Sequence, residues 1–498
     1  MVRRLIALSY LSSLVACSSS ALKITMSGER PMVLGITGGI AMGKSAFTEQ
    51  LRSTFGVRVH DADAAVHRLY GVGGRAVGPV AAAFGEEVLG SDGSIDRKKL
   101  SAVLQRAKTD ENPFARLEGI VHPLVTQDRA EFIEAEALAG RWLCAVDIPL
   151  LFETLESPKL EAGIDRVAVA SCMCEKEQRR RALKRPHMTE AKLEFILKRQ
   201  LSDDIRIGKA DFLVDTSHCD KAASKSQIAT IMKKLYEERP PRTSSSLCCV
   251  TLDLDDTLWP TKPAIAAVGE KSNELMPRLM PKTFAALKGA SPYEGIVDFG
   301  NPLNNLEGDD RRLAHDITAL RRLALHKRAV EFGDSLENAD LLLEAIVETR
   351  SRAAVENLLP EALDLISELR LSFADVKVGA LTNGNARPYG ALAGALDFWL
   401  GAPDIGAQKP HLTAFLAAAA KASDGRTADP RSLIHVGDNL HDDAIGALRA
   451  GARAILVPRP RNPTPFDTSK LKEFDPDRWA IANSLKDVPT IIRDKRWL

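Results

Sequence analysis

Met32-Val33-Leu34-Gly35-Ile36-Thr37-Gly38-Gly39-Ile40-Ala41-Met42-Gly43-Lys44-Ser45 decides how the first half of this chain folds. Its opening six residues are apolar or small and read as a strand. Phe47, Leu51 and Phe55 then recur at helical spacing. A glycine-rich turn between strand and helix lets backbone N–H groups converge on phosphate oxygens, and the helix N-terminus adds partial positive charge. Gly38, Gly39, Ile40, Ala41, Met42, Gly43, Lys44 and Ser45 therefore form an expected phosphate cradle. Lys44 would reach the β- and γ-phosphates, and the Ser45 hydroxyl would hold Mg²⁺.

The chain has 498 residues, enough for two or three domains. A formal net charge of +1 gives no global field to draw nucleic acid or membrane. Aromatic residues make up 5%, which argues further against base-stacking platforms. Cys17, Cys144, Cys172, Cys174, Cys219, Cys248 and Cys249 form no pair of CxxC units at zinc spacing, so no structural zinc is expected. The scatter suits a reducing compartment. Cys144 reads as core packing, and Cys172 and Cys174 as a partly buried strand end.

Apolar runs at 32–37, 142–151, 164–171 and 210–215 alternate with helical patterns, which argues a parallel sheet wrapped by helices. Residues 220–237 read as a closing amphipathic helix. A Pro/Ser-rich stretch follows, and new strand candidates appear at 247–252, 376–381, 432–436 and 453–457. The expected division is a targeting segment at 1–30, one domain at 31–238, a linker at 239–247 and a second domain at 248–498. The second carries a helical insert at about 260–375 that reads as a cap.

Further stretches converge on one family. They are His60-Asp61-Ala62-Asp63, Leu117-Glu118-Gly119-Ile120-Val121-His122-Pro123-Leu124-Val125, Asp147-Ile148-Pro149-Leu150-Leu151-Phe152-Glu153, the basic run Arg179 to Arg185, and Gln200 ahead of Lys209-Ala210-Asp211. With the cradle, this ordered set resembles dephospho-CoA kinase. The resemblance implies phosphoryl transfer from ATP to the ribose 3′-hydroxyl of dephospho-CoA. Asp61, at a strand end near the cradle, is the candidate base for the hydroxyl proton. Asp63 is expected either as a helix cap or as a contact to acceptor or lid. The family's mobile lid places Arg181 and Arg185 on the transferring phosphate, and His122 near the acceptor. Ala41 and Met42 stand where the family usually has Gly and Ser, a tolerable change if the turn keeps its φ. Thr216 stands where the family often has Asn.

In the second block, Asp253-Leu254-Asp255-Asp256-Thr257 follows a strand candidate. Leu381-Thr382-Asn383-Gly384, Gln408-Lys409-Pro410 and Gly437-Asp438-Asn439-Leu440-His441-Asp442-Asp443 come later in order. This set looks like the haloacid dehalogenase superfamily. The resemblance implies hydrolysis of a phosphate monoester through an aspartyl-phosphate. Asp253 is the expected nucleophile and Asp255 the acid, then base. Thr382 and Lys409 would bind phosphoryl oxygens. Mg²⁺ would be held by Asp253, Asp438, the main-chain carbonyl of Asp255 and Asp443, with Asp442 the weaker choice for the last position. Small sugar phosphates, a ribityl or flavin phosphate and damaged pantetheine phosphates all stay open as substrates.

The fold expected is α/β, with two three-layer domains on parallel sheets. The first is a P-loop kinase with helical acceptor and lid parts, and the second a Rossmann-like haloacid dehalogenase domain with a helical cap. The cofactors expected are ATP and Mg²⁺, and the partners small molecules, with no nucleic acid. Two alternatives stand beside this reading: a different P-loop small-molecule kinase, and a second half that is inactive and regulatory. Residues 1–30 carry Arg3 and Arg4, the apolar run Leu5 to Ala16 and no acid before Glu29, which favours import into a mitochondrion or plastid. Leu14-Val15-Ala16-Cys17 also resembles a bacterial lipoprotein signal, ranked lower because a kinase needs ATP in its compartment. An internal start at Met26 would give a cytoplasmic form. The apolar run is short for a span, so no stable membrane insertion is expected after processing.

Overall fold

The computed structural model describes residues 30–106, 112–155, 159, 162–217, 221–241, 247–425, 429–458 and 468–497. The expected targeting segment, apart from its last residue, and most of the expected linker lie outside them. No helix among the described residues is long and apolar enough to cross a membrane.

The first sheet is wholly parallel, in the order β2-β3-β1-β4-β5. Its strands are β1 (Met32–Thr37), β2 (Arg58–Asp61), β3 (Leu143–Asp147), β4 (Arg166–Ser171) and β5 (Phe212–Asp215). β1 is buried at every position, which is why it reads as an unbroken apolar run rather than an alternation. Helix α1 (Lys44–Phe55) leaves its end, and α2 (Ala62–Tyr70) follows β2. A long helix, Pro113–Leu138, packs against α2. Helices α3 (Glu175–Leu183) and α4 (Glu190–Leu197) occupy the stretch expected as a lid, and α5 (Lys221–Glu238) closes the unit.

The second sheet is also parallel, in the order β11-β10-β9-β6-β7-β8. Its strands are β6 (Cys249–Leu252), β7 (Lys377–Thr382), β8 (Phe398–Gly401), β9 (Leu433–Gly437), β10 (Arg453–Leu456) and β11 (Trp479–Ile481). The edge strands β8 and β11 were not among the expected ones. Between β6 and β7 lies the cap, built around α6 (Ile317–Phe332) and α7 (Leu336–Glu356) with the paired helix Thr261–Leu279. Helix Pro360–Ser372, within the stretch expected as cap, instead packs Leu365, Ile366 and Leu369 into the core beneath the second sheet.

The two halves share one core. Helix α8 (Leu412–Ala422) buries Ala414, Phe415, Leu416 and Ala417 to Ala420, so it has no wet face. One side packs on β7 and β8, the other on α1 and α5. A helix apolar all round must be enclosed. Each large side chain enclosed here contributes about 1.5–3 kcal/mol. Hydrogen bonds cross the same seam: Gln50 Nε2 donates to Asp404 O at 2.8 Å, and Thr413 Oγ1 to Ala229 O at 3.0 Å. At its tightest point Gly425 meets Gly56, where a Cβ on Gly425 (φ +72°) would lie 2.2 Å from Gly56 O. The cap joins in, since Val297, Leu306, Leu313 and Leu320 pack on Ala222 and Ala223 of α5. The stretch expected as a flexible linker therefore connects two bodies that are already packed together.

Candidate active sites

The first site grows from the end of β1. Gly38 lies so close to β4 that a Cβ there would be 2.5 Å from Ala170 O. Ala41 has φ +60°, the left-handed region that costs an L-residue roughly 1–2 kcal/mol. The turn thus keeps the backbone expected of a glycine while carrying a methyl. Gly43 (φ +90°) is the N-cap of α1 and offers no side-chain cap, and the first turn of α1 holds no acid. The free N–H groups at that helix end are left for an external anion. Gln200 Oε1 accepts from Ile40 N at 3.1 Å, and Gln178 Nε2 donates to Ile40 O at 3.0 Å, so the lid segment grips the turn.

Strand register places two further groups beside it. Ile36 and Asp61 both pair with Asp147, so the ends of β1, β3 and β2 bring two carboxylates together. Lys44 forms an ion pair with Asp147. Burial raises the proton affinity of Asp147, Lys44 opposes this, and Asp61 and Asp63 add to it.

The second site sits at the ends of β6, β7 and β9. Lys409 Nζ lies 2.6 Å from Asp253 Oδ1, 2.6 Å from Asp443 Oδ1 and 2.8 Å from Leu381 O. Burial works against the Lys409 charge, but Asp253 and Asp443 outweigh it and hold its pKa above the ordinary value. Burial pushes Asp253 well up. Asp438 is raised to about 7 by burial and by the charges of Asp443 and Asp256. Asp443 stays well below the usual carboxylate range, because Lys409 and His435 outweigh its burial. One carboxylate oxygen from each of Asp253, Asp438 and Asp443 falls within a 4.8 Å cluster. Three acids facing one lysine suit a divalent cation.

Asp255 Oδ1 accepts from Trp259 Nε1 at 3.0 Å, and its Oδ2 from Arg350 Nη2 at 2.9 Å. Gly384 must be glycine, since a Cβ would lie 2.1 Å from Asp255 Oδ2 and 3.3 Å from Thr382 Oγ1.

A dephospho-CoA kinase family model matches residues 32–221, and a haloacid dehalogenase-like hydrolase model matches 249–451. The dephospho-CoA kinase of Rhizobium meliloti is 46% identical over 186 residues, covering 37% of this chain and 89% of that protein. That of Mesorhizobium japonicum is 42% identical over 208 residues, covering 42% of this chain and 98% of that protein.

The chain belongs to the dephospho-CoA kinase family.

Its second half is a haloacid dehalogenase-like hydrolase domain, so the protein joins a kinase to a hydrolase. Among solved structures, a 2-haloacid dehalogenase from Pseudomonas syringae pv. Tomato DC3000 shares 30% identity, covering 51% of this chain and 100% of that one, at a TM-score of 0.41.

In the kinase half, Asp61 rather than Asp63 is the cap of α2, its Oδ1 accepting from Ala64 N at 2.9 Å. A carboxylate at N-cap satisfies an amide that would otherwise be bare. Arg181 is held in place: its Nη2 donates to Thr216 O at 2.7 Å and its Nε to Glu177 Oε1 at 2.7 Å. Thr216 Oγ1 donates in turn to Met42 O at 3.0 Å, so Arg181 is moored beside the cradle. Arg185 is exposed just beyond α3. His122 is exposed on Pro113–Leu138, and no hydrogen bond or ion pair among the described residues ties it to the cradle.

In the hydrolase half, Asp253, Asp255, Thr382, Lys409, Asp438 and Asp443 come together, while Asp442 is turned toward Asn383 and His441. Asp147, Gln178, Arg350 and His435 join the two sites without a role expected from the sequence. Asp147 had a signal, a lone acid ending an apolar run. Arg350 had none, being one of many cap arginines. Cys144 is buried, its thiol pushed up to about 12 by burial. Cys172 is buried and Cys174 exposed.

Proposed function

We propose that the kinase half transfers the terminal phosphoryl group of ATP to the 3′-hydroxyl of dephospho-CoA. The observation that carries this is the uncapped N-terminus of α1, faced by Lys44, Asp61 and Asp147. The open amides of the turn and of the first turn of α1 bind the phosphate tail. Lys44 exchanges Asp147 for a phosphate oxygen as the nucleotide enters. Asp61 uses its second carboxylate oxygen to take the hydroxyl proton, while the cap bond to Ala64 fixes its aim. Arg181 and Arg185 screen charge on the phosphates from the lid side, and His122 and Asp63 lie toward the acceptor. Mg²⁺, held through Ser45, would neutralise phosphate charge. The test is incubation with Mg-ATP and dephospho-CoA, comparing wild type with Lys44→Ala. No coenzyme A from the wild type refutes the assignment.

For the hydrolase half we infer hydrolysis of a phosphate monoester. Asp253 attacks phosphorus and forms an acyl phosphate. Asp255 gives its proton to the departing alkoxide, then takes one from water as the water attacks the acyl phosphate. Thr382 and Lys409 hold phosphoryl oxygens. Asp253, Asp438 and the main-chain carbonyl of Asp255 would bind Mg²⁺, which supplies charge neutralisation at the phosphoryl group. Asp443 accepts from Lys409 and from Asn439 N and lies 3.0 Å from His435, so it serves chiefly to fix the lysine and borders the metal position. Turnover of p-nitrophenyl phosphate, lost in Asp253→Asn and in chelator, tests this. Equal rates in wild type and variant would overturn it.

A further inference from the structure

The cap sets two enclosed arginines, Arg321 and Arg350, on the side of the hydrolase site where Asp255 stands. Arg350, on α7, is 5% exposed and donates to the Asp255 carboxylate, its one hydrogen-bond partner among the described residues. Its Nε is enclosed without a hydrogen bond. Arg321, on α6, the other cap helix, is near enough for the charges of Arg350 and Asp255 to act on it. Its Nε and Nη1 are sealed from solvent and bonded to nothing. Its guanidinium carbon lies 5.5 Å from the Phe299 ring centre. Tyr293 packs edge-on against the same ring, with centroids 5.3 Å apart, and its hydroxyl is also enclosed without a partner. Burial and Arg350 depress the Arg321 pKa, while Tyr293 and Asp255 partly restore it.

Among the charged groups that act on Arg321 are a second cation, Arg350, and one acid, Asp255. Arginine stays protonated in proteins, so it cannot escape burial by losing its proton. A guanidinium with two enclosed, unbonded nitrogens is disfavoured unless an acceptor completes it. Nothing among the described residues does so. The cap is seated on the core, with Asn385 Nδ2 donating to Thr318 Oγ1 at 3.0 Å, and the Asn385 Oδ1 is likewise enclosed and unbonded. Thr318 lies one turn before Arg321 on α6, and its partner Asn385 follows Gly384, which abuts Asp255, so these groups stand on the Asp255 side of the site.

We propose that the hydrolase half selects substrates with a second anionic group, a carboxylate or another phosphate, on the leaving-group side. Arg321 binds that group, Tyr293 O–H is a second donor, and Arg350 positions Asp255. This deepens, and rests on, the reading of Asp253 and its neighbours as a phosphoryl site. It narrows the open substrates, since a phosphorylated neutral alcohol leaves Arg321 bare and a phosphorylated acid or a bisphosphate does not.

Calorimetric titration of the full chain with Mg²⁺ and three phosphonates tests it. Phosphonoacetate carries a carboxylate as second anion, methylenediphosphonate a second phosphonate, and the carboxyl methyl ester of phosphonoacetate neither. The wild type is expected to bind at least one double anion about tenfold or more tighter than the ester. Which one it prefers distinguishes carboxylate from phosphate. Arg321→Met should remove the preference while leaving affinity for the ester within about twofold, and Tyr293→Phe should reduce it about threefold. Retained kinase activity in each variant reports an intact fold, and Tyr293→Phe carries the test if Arg321→Met does not fold. Equal binding of all three ligands by the wild type overturns the proposal and leaves the phosphoryl site standing. A preference that survives Arg321→Met removes Arg321 from it. No binding of any phosphonate overturns the phosphoryl site and the proposal together.

Discussion

Each half sets one lysine among carboxylates at the mouth of a parallel sheet, and the two lysines are held in opposite ways. Lys44 has a single carboxylate partner, Asp147, and its side chain is 18% exposed. Lys409 has Asp253, Asp443 and a main-chain carbonyl, and is 2% exposed. The first is free to leave its partner when an anion arrives. The second is part of the scaffold, balancing acids that would otherwise repel. The same residue type therefore does mobile work on a glycine turn and fixed work inside a core.

Lys409→Ala should break this contrast most severely. Removing the cation leaves buried carboxylates uncompensated, which costs about 3–5 kcal/mol. Loss of hydrolase turnover and a fall in the metal-free melting temperature are expected together, with kinase activity surviving below that temperature. Lys44→Ala should instead lower kinase turnover about 10²–10³-fold with stability within about 1 kcal/mol of wild type. If both variants melt alike, the two lysines are not held differently. Gly425→Ala tests whether the halves stand or fall as one. A side chain in the left-handed region against the Gly56 backbone should cost about 3 kcal/mol. Both activities should then decay on one thermal profile, whereas separate profiles would mean the seam is weak. Gly384→Ala should displace Asp255 and lower hydrolase turnover about 10²-fold without touching the kinase. Ala41→Gly should be the mildest change. It relieves the left-handed methyl, so stability should rise by about 0.5 kcal/mol with coenzyme A formation unchanged.

Much of this was legible in the sequence because the signals are local. A strand, a glycine turn and a helical repeat specify the cradle within 24 residues, Met32 to Phe55. The Asp253–Thr257 stretch announces its site in the same way. What escaped depends on distant register. Asp147 acquires meaning only when β3 lies beside β2 and sets it against Asp61. Asp61 and Asp63 share a short stretch, and only the entry angle of α2 decides which one caps it. β8 and β11 lie at the two edges of the sheet and are only partly buried, so neither stands out as the inner strands do. Arg321 and Arg350 stand among many cap arginines with no local mark, and enclosure alone separates them from surface charge.

The alanine helix Leu412–Ala422 bears on how such a protein can be taken apart. Proteolysis between Pro241 and Leu247 would cut the covalent thread without parting the pieces, since each would still clasp the helix. Two fragments made from separate genes would each display a sticky apolar scar, and would dissolve well only when produced side by side.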